Sequence, residues 1–175
     1  MPRIYRPLPS GDRLRELLSY DPKSGILTWC APRHGTAQVG TVAGTSKGRG
    51  QIEVKVDGIR YQAHRLIWKM MTDADPKEQI DHRDCNPGSN AWINLREATQ
   101  SQNLRNKHCD PRSAVGLKGV TRALGRHGKW TGRWKAQIAT PSGMRYLGRY
   151  DTPEAAHAAW WKEAGRLFGE FTRKE

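Results

Sequence analysis

The chain has 175 residues, with 30 Lys+Arg against 17 Asp+Glu and a formal net charge of +13. Its length suits one ordinary domain or two or three small modules, and its charge predicts attraction to a polyanion that weakens as salt rises. No long uncharged apolar run, signal peptide or basic amphipathic helix is found, so nucleic acid is the expected partner rather than a membrane. Cys30, Cys85 and Cys109 are odd in number, far apart and without a C-x-x-C pair. They read as reduced thiols of a cytoplasmic protein, the alternative being a metal cluster of Cys85, Cys109 and His108.

The first region, residues 1–63, opens with leucines at near-helical spacing over Arg13–Tyr20, predicting a short helix ended by Asp21-Pro22. Ile26–Trp29 reads as a strand. Gly40–Gly50 contains four glycines and reads as a loop. Gln51–Asp57 alternates apolar and polar residues into an Asp57-Gly58 turn, with Ile59–Gln62 returning, which is a hairpin signal. The expected result is a small β-rich platform.

The second region, residues 64–108, begins with an amphipathic helix over His64–Met71, stopped before Pro76. A strand at Gln79–His82 follows, then an irregular loop at Cys85–Asn90 and a returning strand at Trp92–Leu95. Thr99 and Gln102 fit a capping box that starts a helix carrying Asn103. The order is strand, loop, strand, helix.

Residues 109–115 read as a basic linker. The third region, residues 116–171, alternates through Arg133–Ile138, with Trp134, Ala136 and Ile138 on one face and Arg133, Lys135 and Gln137 on the other. A turn at Pro141–Gly143 leads into a strand over Met144–Gly148. Thr152-Pro153-Glu154 starts a helix with an N-cap, a proline at N1 and an early acid, and Gly169 stops it. Its packing stripe is expected to be Ala155, Ala156, Ala159, Ala164, Leu167 and Phe168. From Leu104 to Tyr150 there are eleven Lys/Arg and one acid, Asp110, so a positive stripe joins the last two regions.

The second region holds the chemistry. Asp81, His82, Asn94 and Asn103 place a carboxylate, an imidazole and two carboxamides at intervals of twelve and nine positions after His82. A carboxylate and an amide oxygen suit a hard divalent cation, and an imidazole can take a proton from water near neutral pH. A lone Asp-His pair is usually a turn pair; four signatures in register are not.

Those signatures, His64-Arg65-Leu66, Asp81-His82, Asn94-Leu95-Arg96 and Gln102-Asn103, resemble the HNH nuclease motif of the ββα-metal fold, in the form carried by phage homing and nicking endonucleases. The resemblance covers about residues 60–108. It implies that His82 is the general base, that Asp81 and Asn103 bind one divalent ion, and that Asn94 braces the loop and orients His82. It also implies 5′-phosphate and 3′-hydroxyl products. With Asn103 in place of a third histidine, the ligands are oxygens, favouring Mg²⁺ or Mn²⁺ over Zn²⁺. His64 either lines the site or packs at a helix start, and Asp84 reads as a loop residue.

The third region resembles the AP2 DNA-binding domain, a three-stranded antiparallel sheet on one helix. The matching residues are Gly119-Val120, Trp134-Lys135-Ala136-Gln137-Ile138, Tyr146-Leu147-Gly148 and Asp151–Ala156 leading to Gly169. In that family the sheet face opposite the helix enters the major groove. This nominates Arg122, Arg126, Trp130, Arg133, Lys135, Gln137, Arg145 and Tyr146 for DNA contact, with Trp134 in the core and one of Trp160 and Trp161 off the sheet.

The expected fold class is therefore α+β, built of small modules: a β-rich platform, a ββα-metal core and an AP2-like sheet with its helix. The expected function is site-selective DNA cleavage by a phage- or mobile-element-encoded enzyme on double-stranded DNA, one strand per centre, with monomer or dimer left open and no protein partner implied. The alternatives are a DNA-binding regulator with a scaffold-only second region, and RNA binding.

Overall fold

The structure, a computed structural model, describes residues 6–32, 38–107, 109 and 115–172. It is α+β, made of small antiparallel sheets and four helices among the described residues. The chain divides into two compact units, Met1–Asn103 and Leu104–Glu175. No described helix is long and apolar enough to cross a membrane. The linker expected at 109–115 and His108 lie, apart from Cys109 and Val115, outside the described residues.

In the first unit, α1 (Gly11–Leu17) starts at Ser10, whose side chain accepts the Arg13 N–H. The helix ends three residues before Tyr20, contrary to the leucine spacing. Leu18–Tyr20 instead forms β1, paired antiparallel with β2 (Leu27–Trp29), and Cys30 N–H closes onto Leu17 O. Leu14, Leu17 and Leu18 are all buried, and the change from helix to strand lets all three reach one core. Gly40–Gly50 is more ordered than its glycines suggest. Ala43 is buried and its N–H donates to Leu27 O, and Thr45–Ser46 forms β3. β3 pairs with β4 (Ile52–Val56), which pairs with β5 (Ile59–Gln62). Asp57 and Gly58 both take positive φ, 46° and 82°, as a two-residue hairpin turn requires.

α2 (Ala63–Thr72) follows at once and buries His64, Arg65, Leu66 and Ile67. β6 (Gln79–His82) and β7 (Leu95–Ala98) pair antiparallel, with Asp81 opposite Arg96 and His82 opposite Leu95. The returning strand begins later than expected. Trp92–Asn94 is a tight 3₁₀ turn, because Trp92 N–H donates to Pro22 O rather than across the hairpin. α3 (Gln100–Asn106) opens with the capping box: Thr99 N–H donates to Gln102 Oε1 at 2.8 Å and Gln102 N–H to Thr99 Oγ1 at 3.3 Å. One hydrophobic core runs through the platform and the hairpin, from Leu14, Trp29 and Val54 to Leu66, Ile80 and Leu95.

In the second unit, β8 (Val120–Leu124), β9 (Trp130–Thr140) and β10 (Gly143–Tyr150) form a three-stranded antiparallel sheet in the order β10-β9-β8. α4 (Pro153–Phe168) starts where Thr152 Oγ1 accepts the Ala155 N–H. Its buried line is Ala156, Trp160 and Ala164, spaced four apart, while Ala155 is exposed and does not belong to the stripe. Trp160 faces the sheet beside Gly119; a Cβ there would sit 1.9 Å from the indole, so only glycine fits. Trp161 is half-buried.

Candidate active site

The β6–β7 hairpin and α2 hold His82. Its ring is buried, and Nε2 lies 3.1 Å from Asn90 Oδ1 in the intervening loop. The His64 imidazole from α2 meets it edge-on, with centroids 5.1 Å apart and planes at 89°. Burial first, then the charges of His82 and Arg65, push the His64 pKa down to about 3. His64 is therefore a neutral packing surface for His82.

Asn94 does what a loop brace must. Its Nδ2 donates to Ser89 O at 2.7 Å and to Asp84 Oδ1 at 3.0 Å, and its Oδ1 accepts the Asp84 N–H at 3.0 Å. Its backbone carbonyl accepts the Arg83 N–H. Asp84 thus belongs to the loop. Although burial pushes its carboxyl up, hydrogen bonds from Asn86, Asn94 and Ser89 together hold it below the ordinary range. The brace fixes the turn after His82, where Cys85 takes φ +60°.

Asp81 is as buried as His82. Its Oδ2 accepts from Arg96 Nε at 3.0 Å and Nη2 at 2.9 Å. Asn103 reaches the same strand from α3, its Nδ2 donating to Gln79 Oε1 at 2.8 Å. Gln79 and Asp81 are two residues apart on β6 and share a face, so Asn103 is docked on the carboxylate's side. Its Nδ2 is engaged by Gln79, so the carboxamide oxygen is the atom that could meet a cation. Alternation sends His82, adjacent to Asp81, to the other face.

Residues 61–105 match the family model of the HNH endonucleases. The HNH segment so defined runs from the end of β5 through α2, the hairpin and most of α3, and it supports a nuclease acting on DNA. No solved structure matches the chain. Among the described residues no group of three or more His, Cys, Asp or Glu is placed to hold a metal ion. The residues nominated as metal ligands, the Asp81 carboxylate and the Asn103 carboxamide, both lie on the Gln79 side of β6. Sequence spacing identified four of the segment's polar residues but missed Asn90, which lies in an irregular loop with no periodicity to mark it.

The C-terminal sheet supplies a separate candidate surface. Register puts Thr121, Lys135 and Arg149 in one row across the face away from α4, with Gln137 opposite Tyr146 beside it. Arg133 shares that face and its Nε pairs with Asp151 at 2.9 Å. Arg145 does not share it. It stands opposite Ile138 on the helix side and binds Glu163 Oε1 at 2.6 Å, because adjacent residues of a strand point opposite ways. A β-bulge between Tyr146 and Gly148 then changes the phase and brings Arg149, which simple alternation misses, onto the outer face. Arg122 also departs from the expected set, standing opposite the half-buried Trp134. Its guanidinium lies 5.3 Å over the exposed Trp130 ring, whose Nε1 donates to Arg133 O. Arg126 is exposed in the β8–β9 turn. From Lys118 to Arg149 there are eight Lys/Arg and no acid.

Proposed function

We propose that this protein is a divalent-metal-dependent DNA endonuclease that hydrolyses one strand per event at its HNH segment and grips the duplex with its C-terminal sheet. One observation carries the reading: inside the segment that matches the HNH endonucleases, His82 sits in a buried, oriented socket. In this reading His82 takes the proton from the attacking water. Asp81 and Asn103 would hold Mg²⁺ or Mn²⁺, which suits an oxygen-only donor pair and, when bound, stabilises charge on the leaving 3′ oxygen. The products are then a 5′-phosphate and a 3′-hydroxyl.

The sheet-on-helix architecture and the basic outer face support an AP2-type DNA-binding module that lays β9 and β10 in the major groove. Together the two parts describe a site-selective, homing-type nicking enzyme of a phage or mobile element. Incubation with supercoiled plasmid and Mg²⁺ should give relaxed circles that DNA ligase reseals. Nicks that ligase cannot seal would contradict the product chemistry. Tight binding without nicks would favour the regulator.

A further inference from the structure

Building on the nuclease reading, we propose that the outer face of the β3-β4-β5 sheet is a second DNA-contact surface. With the turn at residues 47–51, it takes the backbone phosphates beside the bond that the HNH segment cuts. Val54 and Val56 face the core, so alternation turns Glu53 and Lys55 outward. Pairing adds Arg60 opposite Lys55, with Thr45 and Gln62 on either side of Glu53. Lys47, two residues beyond Thr45, continues this face, and its N–H donates to Gln51 O across the turn. Lys47, Arg49, Lys55 and Arg60 are all exposed, and among the described residues none of them meets a carboxylate. Arg13, Arg15, Lys69 and Arg96 of the same unit each do. Four cations left to solvent around a single acid, Glu53, suit a polyanion rather than an ion-pair network.

Two further observations single out the turn. Arg49 takes φ +66° between Gly48 and Gly50, the latter itself at φ +80°. That conformation strains any residue with a Cβ and is open to glycine. The chain keeps an arginine there with glycine on both sides, which points to a use for the guanidinium. The turn also lies against the loop at residues 85–90. A Cβ on Gly88 would sit 3.2 Å from Gly50 O, so the two backbones are in close approach. Gly88 N–H donates to Asn86 Oδ1, and Ser89 O accepts from Asn94 Nδ2. Asn90, the next residue, places its Oδ1 3.1 Å from His82 Nε2. Arg49 therefore precedes the residue that touches the loop, and that loop returns to His82 two residues after the contact. Cations held here meet phosphates next to the reacting one and read no bases.

The test uses the full-length protein, with DNA binding followed by fluorescence anisotropy without Mg²⁺ across a salt series, and plasmid nicking followed with Mg²⁺. Arg49→Gly relieves the positive φ and should melt no lower than the wild type. It should nevertheless bind DNA about 8-fold more weakly at 0.1 M salt and lower the slope of log K against log salt by about 0.9. Lys55→Gln combined with Arg60→Gln should lower that slope by about 1.8, and keeps the test decisive if Arg49→Gly melts low. Both variants should raise KM for nicking with kcat little changed, as expected when binding common to ground and transition states is lost. Ethylation of the phosphates flanking the nick should weaken wild-type binding and affect Arg49→Gly less. Wild-type slopes in both variants, or an ethylation pattern in Arg49→Gly identical to that of the wild type, overturn the proposal. Lowered slopes beside a wild type that never nicks overturn the nuclease reading instead, so the two failures are distinguishable.

Discussion

Asp81 and Arg96 face each other across the β6–β7 hairpin as a buried ion pair, with Oδ2 2.9 Å from Nη2 and both side chains 6% exposed. Burying two charges costs several kcal/mol of desolvation, which mutual attraction and good geometry roughly offset. The pair therefore adds little net stability; its effect is to fix the orientation of the Asp81 carboxylate on the hairpin.

Breaking that pair from one side should be costly. Arg96→Met leaves the Asp81 charge buried and is expected to destabilise the first unit by about 3–5 kcal/mol. Adding Asp81→Leu should recover most of the loss. Urea unfolding of the two variants checks this, and equal losses would mean that the charge is not the cause.

His64 makes stability depend on pH. The unfolded chain titrates this histidine near 6.5, while the fold holds it down to about 3. Between those values the unfolded state binds more protons. The group's contribution is therefore whole above about pH 6.5 and is lost as pH falls toward 3, with a slope of up to about 1.4 kcal/mol per pH unit. His64→Leu removes the titrating group, so the variant should show a flatter fall in unfolding free energy over that window. Parallel profiles would place the acid sensitivity elsewhere.

Much of the fold is legible in the sequence wherever a local rule decides it. Asp57-Gly58 dictates its turn, Thr99 with Gln102 its cap, and Thr152-Pro153 its helix start. The misses come from long-range choices. The helix ends at Leu17 because β2 offers a partner to Leu18–Tyr20, and the second side of the hairpin starts late because Pro22 O takes the Trp92 N–H. The candidate site follows the same division. Asp81, His82, Asn94 and Asn103 show themselves by spacing, whereas Asn90 depends on a loop path that no spacing encodes, and Arg149 on a bulge.

The two arginines of β10 should behave differently. Arg149→Ala, like Lys135→Ala, is expected to weaken DNA binding and to reduce the slope of log K against log salt by about 0.9, the value for one phosphate contact. Arg145→Ala, on the helix side beside Glu163, should leave that slope unchanged. Filter binding or fluorescence anisotropy across a salt series decides the matter. An equal effect from Arg145 would mean that the outer face is not the contact surface.

The central claim is that His82 is the base in a phosphodiester-cleaving centre, and a single-turnover comparison of wild type and His82→Ala on supercoiled plasmid with Mg²⁺ tests it most directly. The account predicts that nicking by the variant falls by at least about 100-fold while its affinity for the same DNA is nearly intact. Nicking at the wild-type rate by a folded His82→Ala protein would contradict it.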